Sequence, residues 1–232
     1  MTIDSASQLP LRTSDQVDEI LEEANVYFKP ICMSFSSCDY NIIDNYAYNY
    51  LDDTLRVKEA GVVFSLPRRI NIFFVNKLIG EKCGYSYADG FFTDHEAQIF
   101  IELSCSDNPA EQLAHHMGIL LGLLETNTGA GEELVDGSNC STAGDLICDT
   151  AADPYGAVRD STNMWIAIEV SDPFIYYSPS CEFIWEELDD NGEFFTPQVS
   201  NMMSPYPCKC EFTREQYLKM VDNYNKSEIK QY

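Results

Sequence analysis

The sequence predicts a mixed α/β (α+β) fold whose first half combines a sheet with helices and whose second half is rich in loops and ends in a helix. In the first half, amphipathic helical stretches alternate with segments rich in β-branched and aromatic residues. Between residues 127 and 212, turn-forming residues dominate. We expect a single domain over 1–232, with an irregular arm at 1–13, an upper subdomain at 14–124 and a lower subdomain at 125–232.

Composition and charge limit the classes of partner. The chain has 232 residues, 45% of them hydrophobic, which is enough to build a substantial core. It carries 38 acidic and 14 basic side chains, a net charge of -24. Such a surface repels nucleic acid and anionic membranes, so neither is expected as a partner. No apolar run reaches the length of a transmembrane helix, so membrane insertion is not expected.

The first predicted elements are a helix and a strand. Ser14 or Asp15 suits the N-cap of a helix that runs to about Phe28 with one apolar face. The segment 31–43 alternates in part like a strand. A second helical or irregular stretch is expected around 45–60.

Two further strands are predicted from composition. The segments RINIFFVNKL (69–78) and AQIFIELS (97–104) are rich in β-branched and aromatic residues. Between them, CGYSYADGFF (83–92) is predicted as a loop with turns at its glycines.

Two later helices are predicted from their capping residues. Asn108 suits an N-cap and Pro109 the first helical position. Thr213 and Gln216 form a capping box for the last helix. The core face of the helix after Asn108 is expected to comprise Leu113, Met117, Leu120, Leu121 and Leu124.

The nine cysteines predict disulfide bonds formed in an oxidising compartment. None belongs to a CxxC pair, which argues against zinc ribbons and thioredoxin-like motifs. The odd count leaves at least one thiol unpaired or bonded to another molecule. We expect an extracellular or periplasmic, secreted protein. Residues 1–15 contain no signal-peptide apolar region, so a leader would already have been removed.

Four blocks of the sequence resemble the pappalysin-like metzincins, a family of zinc metalloendopeptidases. They occur in the family's order over roughly residues 15–224. They are a strand like RINIFFVNKL (69–78), an edge strand followed by the helix QLAHHMGILLGLLET (112–126), the segment DGSNCSTAGDLICDTAADP (136–154), and NMMS (201–204) followed by FTREQYLKM (212–220). The resemblance implies a metzincin-like domain. Its twisted mixed sheet and active-site helix would lie above a loop-rich, disulfide-tied lower subdomain that ends in a helix.

The family's zinc helix has the pattern H-E-x-x-H-x-x-G-x-x-H. Its first two histidines reach one zinc from one helix face, and its glutamate is the general base for the zinc-bound water. On this pattern, His115 stands at the first ligand position and His116 replaces the glutamate. Ile119 stands at the second ligand position, Gly122 is retained, and Glu125 stands at the third ligand position.

These departures predict a catalytically inactive homologue, a pseudoenzyme. Ile119 has no lone pair for a metal, and His116 leaves the general-base position without a carboxylate. Adjacent helical residues point about 100° apart, so His115 and His116 do not replace the missing pair. His95, in TDHEAQI, is interpreted as a chance match at the start of a strand. We expect no zinc. The alternative is a divergent zinc metalloendopeptidase with a non-standard site built from His115, Glu125 and an outside carboxylate.

The resemblance also implies roles for residues of the second half. Met203 would form the apolar base of the Met-turn, and Tyr206 stands one place later than the tyrosine of the family. Asp145, Asp149 and Thr150 lie in the segment through which the family can bind calcium. We favour loop hydrogen bonding for these three residues, with a calcium cofactor as the alternative.

The family further suggests interleaved disulfides among the later cysteines. The expected pairs are Cys140 with Cys181, and Cys148 with Cys208 or Cys210. Cys32 with Cys38 and Cys83 with Cys105 are candidate local pairs, and spacing alone does not fix the connectivity.

The expected function is binding without catalysis. An extended peptide would lie against the edge strand near AQIFIEL (97–103) by strand addition, with Ile119 packed among apolar neighbours in the cleft floor. His115 or His116 would hydrogen-bond Glu125. The partner is an unknown protein or peptide, and a purely structural subunit is the remaining alternative.

Overall fold

The computed structural model describes most of the chain as two compact units with a mixed α+β fold. The described residues are 11–67, 69–79, 83–87, 97–105, 108–128, 133–154, 157–159, 165–167, 178 and 180–227. The first unit comprises the chain up to Gly122 together with the residues from Met220 onward, and the second comprises Leu123–Lys219. His95 and the predicted arm over 1–10 lie outside the described residues.

The described residues contain four α-helices. They are α1 (Ser14–Asn25), α2 (Thr54–Phe64), α3 (Pro109–Leu120) and α4 (Arg214–Lys226). Short 3-10 helices occupy Val26–Ile31 and Tyr46–Asn49. None of the described helices is long and apolar enough to span a bilayer.

The start of α1 differs by one residue from the prediction. Thr13, not Ser14 or Asp15, is the N-cap, because Thr13 Oγ1 accepts a hydrogen bond from Gln16 N at 3.3 Å. The Gln16 side chain accepts the Thr13 N–H in return at 3.0 Å, which completes a capping box. The α-helix ends at Asn25, and the chain continues to Ile31 as a 3-10 helix containing Pro30.

The main sheet of the first unit has the strand order β2–β5–β4 among the described residues. Its strands are β2 (Ile70–Val75), β4 (Gly84–Tyr87) and β5 (Ala97–Glu102), and a separate parallel pair joins β1 (Tyr50–Leu51) to β3 (Lys77–Leu78). β5 pairs in parallel with β2 and antiparallel with β4. The strand predicted at 97–103 is present, but its predicted edge position is wrong, because β5 is the buried central strand. Among the described strands, β2 and β4 lie at the two edges, and β4 falls in the segment that we predicted as a loop.

The predicted strand at 31–43 is not formed. Its described backbone has no regular structure beyond the 3-10 helix that ends at Ile31 and an isolated bridge at Ile43. A side chain of α1 hydrogen-bonds the backbone of this segment instead. Asn25 Oδ1 accepts the Phe35 N–H at 2.7 Å, and Asn25 Nδ2 donates to Phe35 O at 2.8 Å. Side-chain hydrogen bonds of this kind compete with strand pairing.

The hydrophobic core of the first unit gathers side chains from α2, the sheet and β1. Phe73 of β2 stacks on Phe100 of β5 with ring centroids 4.5 Å apart. The surrounding cluster includes Ile43, Leu51, Val57, Ala60, Val75 and Leu78. α3 contacts α1, β4 and β5. Of its predicted core face, Leu113, Met117, Leu120 and Leu121 are buried.

The second unit contains few regular elements besides a short hairpin. β6 (Ala157–Arg159) pairs antiparallel with β7 (Trp165–Ala167). The capping box that begins α4 is confirmed, because Thr213 Oγ1 accepts the Gln216 N–H at 3.2 Å and Gln216 Oε1 accepts the Thr213 N–H at 2.9 Å. Leu124, which was predicted to be core, is exposed at the start of this unit.

The described cysteines form three disulfides, and the predicted pairing is only partly right. Cys83–Cys105 is confirmed. The other two are Cys140–Cys148 and Cys181–Cys208. The predicted pairs Cys140–Cys181 and Cys148 with Cys208 or Cys210 are wrong. Cys32, Cys38 and Cys210 are exposed and form no disulfide, so the local pair Cys32–Cys38 is also wrong.

The turn-rich chain explains why the two disulfides of the second unit are not interleaved. The backbone between Cys140 and Cys148 folds back on itself, with Leu146 at φ 63°, so the two Cα atoms lie 5.1 Å apart. The Cα atoms of Cys181 and Cys208 are separated by 6.0 Å. Both separations lie in the range that a disulfide requires.

Candidate functional site

α3 carries three of the positions that the zinc pattern predicts, His115, His116 and Ile119, and its first turn has the predicted caps. Asn108 Oδ1 accepts hydrogen bonds from the N–H groups of Ala110 and Glu111, at 3.2 and 3.3 Å. Pro109 occupies the first helical position, where it has no N–H group to leave unpaired. The cap sets where α3 begins and therefore which side chains it directs to the sheet.

The two histidines of α3 are buried and packed against each other. His115 is 5% exposed and His116 is 6% exposed. Their rings meet edge to face with centroids 5.0 Å apart. The rings are nearly perpendicular, at 87°, as expected for adjacent residues that point in different directions from a helix.

His116, at the position of the family's glutamate, is held by the edge strand β4. Its Nδ1 lies 3.2 Å from Ser86 Oγ, within hydrogen-bonding distance. Its ring lies so close to Gly84 that a Cβ atom at that position would overlap the imidazole. Gly84 therefore provides the space in which the His116 ring lies against the strand.

Ile119 and Gly122 follow at the C-terminal end of α3. Ile119 is partly buried, so it is not the fully packed floor that we expected. Gly122 has φ 86°, and its N–H bonds Ile119 O at 2.9 Å. A left-handed residue after the last helical turn favours glycine, as the pattern predicted.

Glu125 and Met203 belong to the second unit. The Glu125 side chain is exposed, whereas Met203 is completely buried in the core of this unit. Met203 O accepts the Thr126 N–H at 3.1 Å, which connects the two segments. The backbone of Met203 is positioned by Asn201, whose Oδ1 accepts the Met203 N–H at 2.8 Å.

Tyr206 is turned into the interior of the second unit. It is 0% exposed, and its hydroxyl donates to Asp153 Oδ1 at 2.8 Å. Thr126 Oγ1 donates to Asp153 Oδ2, also at 2.8 Å. Both oxygens of this buried carboxylate therefore accept hydrogen bonds from the surrounding fold.

Asp145 and Thr150 are brought together as predicted, and Asp149 is directed elsewhere. Asp145 Oδ1 accepts hydrogen bonds from Thr150 Oγ1 at 2.8 Å and Ile147 N at 3.0 Å. This is the loop bonding that we favoured. Asp149 is exposed, and its Oδ2 accepts the N–H of Glu215 in the first turn of α4 at 2.8 Å.

The second carboxylate oxygen of Asp145 has a different environment. Asp145 Oδ2 is buried and accepts no hydrogen bond from any described residue. An unpaired buried carboxylate oxygen is costly unless a proton or a cation accompanies it. Burial raises the pKa of Asp145 to about 6, although the bonds from Thr150 and Ile147 lower it.

Glu133 is the neighbouring carboxylate that sequence reasoning missed. It is 4% exposed, and its carboxylate lies directly against Gly144. Burial, followed by the charges of Asp145 and Asp153, raises its pKa to about 7. No local pattern in GAGEELVDGSNC distinguishes Glu133, because its partners lie about a dozen or more residues later in the chain.

The described residues contain no group of three or more His, Cys, Asp or Glu side chains arranged to hold a metal ion. Comparison with protein-family models finds no match, and comparison with curated protein sequences finds no similar protein.

Proposed function

We propose that this chain is a catalytically inactive homologue of the pappalysin-like metzincins and that it binds extended protein or peptide segments outside the cell. The observation that carries the proposal is the environment of His116. The position that would hold the general base carries a buried imidazole engaged with Ser86 of the sheet edge. Ile119 next to it offers no metal ligand. These features support a protein that binds protein or peptide segments without cleaving them.

The open edge of β4 supports strand addition as the mode of binding. Cys83 O accepts the Glu102 N–H at 2.9 Å, which makes residues 83 and 102 a hydrogen-bonded pair of the antiparallel ladder. Because such pairs alternate, the backbone groups of Gly84 and Ser86 point away from β5. No described strand pairs with that side of β4. An extended peptide would add there through main-chain hydrogen bonds.

The test compares two substitutions at Ser86. Ser86→Pro removes the outward N–H and leaves the ladder to β5 intact, because that N–H does not face β5. Ser86→Ala is the matched control, since it removes the bond to His116 but keeps the N–H. Binding of a library of unstructured dodecapeptides to the immobilised protein is measured for all three proteins. We expect wild type and Ser86→Ala to retain the same peptides and Ser86→Pro to lose them.

Two results would count against this proposal. Equal peptide binding by Ser86→Pro would show that the β4 edge is not the site. Stoichiometric zinc in protein dialysed against micromolar zinc, together with peptide cleavage, would instead establish the divergent zinc metalloendopeptidase.

We also infer that a calcium ion binds in the second unit at Asp145 and Thr150, for which the family resemblance implies calcium, together with Glu133. The unpaired Asp145 Oδ2 supports this, because a hard cation can neutralise two buried carboxylates and accept their oxygens as ligands. The Thr150 hydroxyl is next to Asp145 and adds an oxygen. Calcium takes six to eight oxygens, and backbone carbonyls and water would supply the rest. Bound calcium would neutralise the pair and rigidify the loop.

Calcium binding is tested by titration calorimetry on chelator-treated protein. We expect binding by wild type and its loss in Glu133→Gln and Asp145→Asn. Glu186→Gln removes an exposed carboxylate of the same unit and should bind as wild type does. Binding that survives in both site variants would refute this assignment.

A further inference from the structure

The first unit contains a cavity of about 690 Å³ between the segment 33–43 and the outer edge of β2. Its lining includes consecutive residues of both, 33–43 on one side and 69–74 on the other. The buried side chains of Phe73, Leu113 and Met117 contribute to its wall. Its volume is typical of pockets that enclose small organic ligands.

Side chains of α1 form hydrogen bonds with the segment 33–43, which makes one side of this cavity. The Asn25 amide takes both backbone groups of Phe35, and the Asp18 carboxylate accepts hydrogen bonds from Ser37 Oγ at 2.6 Å and from the Tyr40 hydroxyl. These bonds attach the segment to α1, and β2 has no described partner on that side. The space beside β2 is therefore built by specific side-chain contacts.

The rim of the cavity is apolar and exposed. Ile42, Val63 and Leu66 line it and are 54, 56 and 38% exposed. An apolar rim that continues into an apolar wall favours an occupant with an apolar body.

Among the described residues that line the cavity, Arg69 is the cationic one. The Arg69 guanidinium makes no ion pair with any described residue, in a chain that carries 38 acidic side chains against 14 basic ones. Asp39 also lines the cavity, and its carboxylate accepts the backbone N–H of Tyr40 at 2.9 Å. An unpaired guanidinium beside apolar walls suits a carboxylate, which it can bind through two parallel hydrogen bonds.

We propose that this cavity binds a small amphipathic carboxylate, with its apolar body against Phe73 and Met117 and its carboxylate on Arg69. This site is separate from the β4 edge and does not depend on the peptide-binding function. Binding would remove the apolar rim from contact with water and give the Arg69 guanidinium an ion-pair partner.

The negative charge of the protein allows calorimetry to distinguish specific binding of a carboxylate from non-specific association. Calorimetry compares decanoate with decyltrimethylammonium, both below their critical micelle concentrations, at 0.15 M salt. Non-specific association with a chain of net charge -24 favours the cationic probe. We expect the opposite order, with decanoate bound at one equivalent and the cation bound at least about tenfold more weakly.

Three variants locate the site. Arg69→Gln should weaken the binding of decanoate about tenfold and leave the affinity for decanol unchanged. Val63→Trp places an indole at the rim and should weaken the binding of both decanoate and decanol. Val62→Trp is the matched control on α2, because Val62 is exposed and does not line the cavity.

The proposal is overturned by any of three results: a preference for the cationic probe, equal decanoate affinity in Arg69→Gln, or equal effects of the two tryptophan variants. Hydrogen exchange on the free protein gives an independent check. Strong protection of the amides of residues 36–42 without ligand would mean that the segment pairs with β2 in solution, and the cavity would then be absent.

Discussion

The Tyr206 hydroxyl donates a 2.8 Å hydrogen bond to Asp153 Oδ1 in the interior of the second unit. The Tyr206 ring meets Phe183 edge to face, with centroids 6.2 Å apart. Tyrosine at this place in the chain is thus a core residue that satisfies a buried carboxylate. The same bond links the segment that follows Met203 to the segment that ends the GDLICDTAADP block.

Removing the Tyr206 hydroxyl is predicted to destabilise the protein. Tyr206→Phe leaves Asp153 Oδ1 without its donor, which costs about 1–3 kcal/mol when the group is buried. Urea unfolding at neutral pH measures the change. Tyr46→Phe is the control, because Tyr46 is exposed and should change stability by less than about 0.5 kcal/mol. Equal effects of the two substitutions would contradict the buried bond.

Alanine substitutions at Gly137 and Gly144 distinguish the cost of backbone strain from the cost of steric overlap with a neighbouring side chain. Gly144 has φ 60° and Gly137 has φ 69°, so alanine costs about 1–2 kcal/mol at either from backbone strain. A Cβ at Gly137 meets nothing within 4 Å, whereas one at Gly144 would overlap the Glu133 carboxylate. We expect Gly144→Ala to lower the free energy of unfolding clearly more than Gly137→Ala does. Similar losses would mean that Glu133 does not lie against Gly144.

The raised pKa values of Glu133 and Asp145 predict how stability depends on pH. A carboxyl whose pKa is higher in the folded state binds its proton more tightly there. Its contribution is complete below the unfolded pKa, 4.5 for Glu133, and is lost as the pH rises through about 7. In chelator, wild type should therefore lose stability relative to Glu133→Gln between pH 5 and pH 8. Urea unfolding across this window tests the difference, and calcium should restore stability to wild type alone.

The contact of Gly84 with His116 predicts a non-additive pair of substitutions. Gly84→Ala should be destabilising because its methyl group would overlap the imidazole. His116→Ala removes the obstructing ring, so the same alanine at Gly84 should cost less in that background. Thermal unfolding of the four proteins gives the coupling free energy, expected at about 0.5–3 kcal/mol for residues in contact. Strict additivity would argue against this packing.

The disulfide pairing is testable by peptide mapping. Alkylation of the native, unreduced protein should label Cys32, Cys38 and Cys210, which are exposed and form no disulfide. Non-reduced proteolysis should yield peptides joined through Cys140–Cys148 and Cys181–Cys208. A peptide joining Cys140 to Cys181 would contradict the structure and restore the interleaved pairing.

Features that depend on neighbouring residues were predictable from the sequence. The caps Asn108 and Thr213 are confirmed, because an N-cap is a contact between residues two or three positions apart. The β2 segment follows from its β-branched and aromatic composition, and the buried face of α3 follows from helical spacing. Cys83–Cys105 was among the candidate disulfides, whereas Cys140–Cys148, with a sequence separation of only 8, was missed because the resemblance suggested interleaved pairs.

By itself, the sequence determined the chemistry that each position offers: an isoleucine without a lone pair at 119 and an imidazole in place of a carboxylate at 116. The tertiary structure decided where those groups are used. Among the described strands it made β5 central and β4 an edge, brought the Glu133 carboxylate against Gly144 beside Asp145, and left the segment 33–43 bound to α1 instead of β2. Strand order and burial depend on contacts between residues far apart in the chain, and local propensity does not specify them.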